Sequence, residues 1–379
     1  MADFVLTAAD ARRWIIHAHG LTGGQFGAGP AGVREVLKHR RCIQLDPLDA
    51  IGTNADLVAI ARVDGIERGD VYRALLPGHG FEHFAKERCI LPAGAFAHYR
   101  DKATHTPWWR HSERMKRLQQ ADPGLLEDVL AEVRDRGPLT PGELTDRGRV
   151  ERVDWGGWKS TPFANKLALE ILWVRCRIVV HSRTKNAKRY DVPERALPAV
   201  ADAPAKGDFG RWALLNRVEA SALLPTATGP QWGQLQDVRK ALTQTLLKEG
   251  AIEAVRLTGT RRRWLAPAGF RERTWAEPDD RMRILGPLDP MMWDRKLIRI
   301  VFGFEYIWEV YKPASKRRWG WYVCPLLHRG MLVGRIEAHT DRGRVVVDRI
   351  WEEQPGSVDR DALDEALARL RLASPLRQA

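Results

Sequence analysis

The sequence predicts an α+β protein: tandem winged helix-turn-helix units followed by a small antiparallel barrel or sheet. Three observations lead there. Helical stripes that end in a polar-tipped strand pair occur twice between residues 124 and 267. The hydrophobic period then drops to two beyond Met282. And 379 residues exceed what one small core organises, so several domains are expected. We divide the chain into segments 1–105, 106–200, 201–275 and 276–379.

The first segment holds helical patterns around one short extended stretch. Thr7-Ala-Ala-Asp10 reads as a capping box that opens a helix with Ala11, Trp14, Ile15 and Ala18 inward. Residues 20–32 are Gly-rich, but no Gly-Lys-Ser/Thr follows and no strand precedes, so a phosphate loop is not indicated. Val33, Val36 and Leu37 mark a second helix.

In the second segment Leu125, Leu126, Val129, Leu130 and Val133 stripe a helix that Gly137-Pro138 stops. Thr140 to Leu144 reads as a turn and short helix. Ser160-Thr-Pro162 opens another helix, with Phe163, Leu167, Ile171 and Val174 on one face and Lys166 elsewhere. Strand, tip and strand follow from Arg177 to Val192. Helices followed by a hairpin is the order of a winged helix. The third segment repeats the layout. Trp212 to Leu224 is helical, and Leu235, Val238, Leu242 and Leu246 stripe a second helix closed by Gly250. Ile252 to Leu265 is a hairpin with Gly259 at its turn. In the last segment Trp308–Tyr311, Trp319–Val323, Met331–Ile336 and Val345–Ile350 read as strands. Ser357 starts a final helix with Leu363, Ala366, Leu367 and Leu370 inward.

Sixty-one Lys and Arg against 48 Asp and Glu leave a net charge of +13, which suggests a polyanionic partner. No apolar run approaches the roughly 20 residues of a bilayer span, and the start lacks the pattern of a signal peptide. A cytoplasmic location is expected, with no membrane, metal or cofactor. Cys42, Cys89, Cys176 and Cys324 are too scattered for a zinc site or disulfide framework and are expected to be buried.

The segment Cys42-Ile-Gln-Leu-Asp-Pro47 is the most informative. Proline pushes Asp46 toward extended geometry, and residues two apart then point the same way. Gln44 and Asp46 would share a face. A carboxylate beside an amide can hold and polarise one water, the minimum equipment for hydrolysis. A competing reading makes Asp46 the N-cap of a helix that starts at Pro47.

Arg183, Lys185, Lys188 and Arg189 in one hairpin, and Arg261, Arg262 and Arg263 in the other, stand where basic wings would meet phosphates. Lys166 joins that set. Trp155 and Trp158, with Lys159, are the best aromatic candidates for a DNA-facing pair. Lys316-Arg-Arg318 reads equally well as a contact or a solvated loop.

At Gln44-Leu-Asp-Pro47 the chain resembles the AlkZ/YcaQ-like family of bacterial winged-helix DNA glycosylases. The likeness extends through Phe81-Glu82, Ile90-Leu-Pro92, Trp155 to Lys159, and Tyr190 to Arg195. It continues through Leu288-Asp-Pro290, Trp293-Asp-Arg295, Phe302-Gly-Phe304 and Leu332 to Arg335. It implies tandem winged helices in a C-shaped DNA-gripping cleft, then a β-barrel. It also implies excision of N7-alkylated purines from double-stranded DNA, and unhooking of interstrand crosslinks by some members. The family signature is Gln, an apolar residue, then Gln or Asp. Gln44 and Asp46 match the Asp, YcaQ-like form. Two stretches depart. Gly52-Thr-Asn-Ala-Asp56 replaces an Arg and paired His, and Phe84-Ala-Lys-Glu87 replaces Trp-Ala-His-Glu.

The resulting expectation is a monomeric, monofunctional glycosylase. Asp46 acts as base or as partner of a cationic sugar, Gln44 orients water, and no lysine is placed as a nucleophile. The rival classes are a winged-helix transcriptional regulator and a catalytically inert DNA-damage binder. Several dissimilar units in one chain and the Gln44/Asp46 pair favour the enzyme.

Overall fold

The structure is a computed structural model that describes residues 3–105, 116, 122–149, 163–184 and 187–370. The chain forms two compact units. One contains Met1–Ala74, Phe84–Cys89 and Gly210–Ala379; the other contains Leu75–His83 and Ile90–Phe209.

In the first unit, strand β1 (Phe4–Leu6) leads into helix α1 (Ala8–Ala18). Thr7 caps it as the sequence predicts, its Oγ1 accepting the Asp10 N–H at 3.1 Å. Ala11, Trp14, Ile15 and Ala18 are buried, and Ile16 with them. Helix α2 (Gly29–Arg40) buries Val33, Val36 and Leu37. β1 pairs in parallel with β8 (Ile252–Leu257), which forms an antiparallel hairpin with β9 (Arg263–Pro267) around Gly259 at φ 78°. β7 (Leu224–Pro225) completes the sheet, in order β1-β8-β9-β7. The two chain ends of this unit therefore share one core, where Leu6, Trp14 and Ile15 meet Val255, Trp264, Phe270, Val301 and Phe304. Each such large side chain contributes about 1.5–3 kcal/mol of burial.

The C-terminal strands are β10 (Arg283–Ile284), β11 (Val323–His328), β12 (Met331–Asp341) and β13 (Arg344–Glu352), all antiparallel. Their order is linear, so among the described residues this is an open four-stranded sheet and not a closed barrel. Two expected strands are absent: Trp308–Tyr311 and the stretch before Val323 are irregular. The reason is Glu309, 1% exposed, whose carboxylate takes the backbone N–H groups of Arg318 (3.1 Å) and Trp319 (2.7 Å) and the Lys312 ammonium (2.9 Å). A buried carboxylate satisfied in this way folds the loop around itself, leaving those donors no ladder to join. The final helix starts at Arg360, three residues after the expected Ser357, because Asp359 is the cap.

In the second unit, helix α6 (Leu125–Arg136) buries the five predicted stripe residues and stops at Gly137. Thr140–Leu144 is a turn only. Helix α7 (Ala164–Val174) precedes the hairpin β5 (Val179–Thr184) and β6 (Ala187–Asp191). Phe163 is not inward: it is 43% exposed, under Arg149 and Lys166 at 4.6 and 5.3 Å from its ring centre. The helix α9 (Phe209–Ser221) joins the units in sequence, and α10 (Arg239–Lys248) follows. α10 buries Leu246 alone, and Val238 is 46% exposed, so the predicted stripe there is only partly realised. α8 is the short turn Pro193–Ala196, and α11 and α12 are Arg295–Phe302 and Arg360–Arg369. All four cysteines are buried.

Candidate functional site

The Gln44 motif sits on the short strand β2 (Ile43–Gln44). The Leu45 N–H donates to Arg88 O at 2.8 Å, which ties the motif to strand β4 (Arg88–Pro92). Cys42, Ile43, Gln44 and Leu45 are all buried; Asp46 is the first residue half open to solvent.

Asp46 is not a helix cap. No helix starts at Pro47, and the next, α3, spans Asn54–Ile60. Thr53 and Asp56 cap that helix reciprocally. Thr53 Oγ1 accepts the Asp56 N–H at 3.2 Å, and Asp56 Oδ2 accepts the Thr53 N–H at 3.2 Å. This two-way box outcompetes a single Asp-Pro start seven residues earlier. Asp46 Oδ1 instead accepts the Leu48 N–H at 2.9 Å in a local turn. The loop that follows is held from both sides. Thr340 Oγ1 donates to Ala50 O at 2.8 Å, and Arg68 pairs with Asp49.

Gln44 is braced at both ends by the two stretches that depart from the family pattern. Asn54 is fully buried and donates through Nδ2 to Gln44 O at 2.8 Å and to Leu288 O at 3.4 Å. Gly286 makes room for it, since a Cβ there would lie 2.6 Å from Asn54 Oδ1. Lys86 donates from Nζ to Gln44 Oε1 at 2.8 Å, with the Trp293 ring centre 5.1 Å from the ammonium. Trp293 is itself fixed by donating to Leu288 O at 3.0 Å. Neither Lys86 nor Asn54 was singled out from sequence as a site residue. The only signal was that each lies where the family residues change.

Burial raises the Asp46 carboxyl above its ordinary range, against the Leu48 hydrogen bond, which lowers it. Burial also lowers the Lys86 ammonium, opposed by Cys89 and Glu87 and assisted by Arg295. The phenol of Tyr322, 2% exposed, is pushed well up, chiefly by burial, with the charges of Asp46 and Asp49 among the smaller causes. Among the described residues no cation pairs with Asp46. The site offers a partly exposed carboxylate of raised pKa two residues from an amide whose oxygen Lys86 holds. Such a carboxylate can accept a proton, and such an amide can hold a ligand through its donor.

The expected DNA contacts fall into three sets. Trp155, Trp158, Lys159 and Lys185 lie outside the described residues. Arg183, Lys188 and Arg189 have partners within the chain. Arg183 pairs with the buried Glu82, with Nη2 2.6 Å from Oε2, and Lys188 stands 3.9 Å from the same carboxylate. Arg189 donates to Pro138 O at 2.7 Å and pairs with Glu143 at 3.2 Å. Arg261, Arg262 and Lys166 are exposed; Arg263 is exposed too, but pairs with Asp3 at 2.7 Å. Among the described residues no group of three or more His, Cys, Asp or Glu is arranged to hold a metal, and no helix is long and apolar enough to cross a membrane.

A family model described as DNA glycosylase AlkZ-like matches residues 37–372. The Streptomyces sahachiroi DNA glycosylase AlkZ has a similar structure. The TM-score is 0.59 at 15% sequence identity, with 97% of this chain and 99% of that chain covered. At such identity the likeness speaks to a shared α+β fold. The extent of the family match makes the protein a DNA-repair glycosylase that acts on DNA. The chain belongs to the AlkZ-like DNA glycosylase family. Neither rival reading, regulator or inert binder, gains support from that membership.

Proposed function

We propose that this glycosylase hydrolyses the N-glycosidic bond of N7-alkylated purines in duplex DNA. One observation carries the assignment of chemistry. Asp46 is a half-buried carboxylate of raised basicity, it caps no helix, and it lies within the residues that the family model matches, at the place where the sequence resemblance implies the signature Asp. N7 alkylation makes the base cationic, so it departs neutral and needs no strong acid. The work left is at the sugar: Asp46 accepts the proton of an attacking water or offsets the positive charge on the ring. Gln44 holds that water through its amide. The Lys86 amine is engaged by Gln44 and Trp293, which supports a monofunctional reaction.

The tandem winged-helix reading belongs to this proposal. Helix α7 followed by β5/β6, and helix α10 followed by β8/β9, support it. Arg261 and Arg262, exposed beside the turn of the second hairpin, are then the foremost phosphate contacts. We take the enzyme to act as a monomer. A bulky or crosslinked purine, which cannot readily be flipped into a closed pocket, is the second substrate to try. The test is to incubate the protein with duplex carrying one N7-methylguanine, then treat with alkali. Strand cleavage at the lesion is expected; intact strands would overturn the proposal.

A further inference from the structure

We infer that Lys86 is a positioning residue: it locks the Gln44 side chain with its oxygen turned inward and its NH2 group presented to substrate. The inference rests on the reading of Gln44 as part of the reaction centre.

The argument is one of donors and acceptors. An ammonium can only donate, so the Gln44 atom 2.8 Å from Lys86 Nζ must be the amide oxygen. That settles which way the amide faces, a choice otherwise open for any glutamine. Gln44 is 5% exposed, and its Nε2, which makes no hydrogen bond among the described residues, is not one of their buried unpartnered atoms, so it reaches solvent. It is satisfied when a water or a substrate oxygen accepts from it. A water that accepts from Nε2 keeps both protons, one of which it can give to Asp46.

Lys86 is itself held. The Trp293 ring attracts the charged form from 5.1 Å. The other groups acting on its charge are Glu87, Cys89 and Cys42, which favour it, and Arg295, which opposes it. When the ammonium loses its proton the amine can accept as well as donate, and the amide loses its fixed sense. Gln44 orientation should therefore follow the protonation of Lys86.

Two measurements on the full chain test this. The first is NMR of the Gln44 side-chain amide across alkaline pH. In the wild type its protons should shift with the midpoint at which the Lys86 Cε signal titrates, below the ordinary lysine value. In Lys86→Met that transition should vanish, and in Lys86→Arg the amide should stay fixed throughout. An amide signal indifferent to Lys86 titration would overturn the inference. This readout needs no activity, so it stands even if no base is released. The second is single-turnover excision. Lys86→Met should lower the rate about 10-fold or more without weakening DNA binding or the thermal melt, and Lys86→Arg should restore most of it. Equal rates for Lys86→Met and wild type, or covalent trapping of Lys86 on DNA by borohydride, would contradict a positioning role.

Discussion

Asn54 donates one amide proton to the Gln44 carbonyl at 2.8 Å and reaches Leu288 O at 3.4 Å. One buried side chain thus ties the motif strand to the segment that carries Trp293. Replacing Asn54 by Ala strands at least one buried carbonyl, at a cost of about 1–3 kcal/mol. Urea unfolding should show that loss, and excision should fall with it. The pH midpoint set by Asp46 should not move, because Asn54 touches the Gln44 backbone and not the carboxylate. Unchanged stability would mean that water replaces the amide freely.

A second brace is the buried pair Arg62–Asp289, both side chains fully buried, 2.7 Å apart at Nη1 and 3.0 Å at Nη2. Asp289 also accepts the Met291 N–H at 3.0 Å. Asp289→Ala leaves the guanidinium uncompensated in the core and should cost about 3–5 kcal/mol. Denaturant midpoints report it. A loss under about 1 kcal/mol would show that Arg62 finds another anion.

The two basic hairpins should behave differently. Arg261→Ala with Arg262→Ala should weaken duplex binding on any sequence and lower the salt slope by about one per arginine that meets a phosphate. Arg183→Ala should leave the slope close to wild type and instead reduce stability, since it leaves the buried Glu82 carboxylate the more distant Lys188, at 3.9 Å. Salt titrations of affinity beside thermal melts separate the two. The reverse pattern would make the Arg183 hairpin the DNA contact.

The Asp46 carboxyl titrates above its ordinary range in the folded protein. Its native state therefore favours the protonated form, and the ionised group lowers stability at neutral pH. That penalty disappears as pH falls through the folded pKa and the group becomes neutral. Activity should move oppositely, rising with pH as Asp46 ionises, with a midpoint above the ~3.9 of a free aspartate. An activity profile flat between pH 4 and 7 would remove Asp46 as the base.

Much of the fold was legible where a local pattern decides it. The α1 stripe, the Gly259 hairpin and the β12–β13 strands follow from hydrophobic period and turn chemistry alone. The failures arise where a competing contact, near or far in sequence, overrode the preference that the local pattern suggests. Glu309 captures two backbone donors that a strand would have used. Thr53 and Asp56 take the helix start that Asp46-Pro47 advertises. Glu82 engages Arg183 across about a hundred residues of chain. The proposed site was legible only in part. Gln44 and Asp46 are neighbours, so their relation shows in the chain. Lys86 and Asn54 reach Gln44 only after folding, and no periodicity marks them.

The central claim is that Asp46 is catalytic, and Asp46→Asn tests it most directly. Asn can accept the Leu48 N–H as Asp does, so the local turn survives. It carries no charge and takes no proton. The measurement is single-turnover release of 7-methylguanine from duplex DNA, with a thermal melt at pH 7 alongside. The rate should fall at least ~100-fold, while the melting temperature stays at or above wild type. Full excision by the Asn variant would contradict the account and leave Asp46 a turn residue.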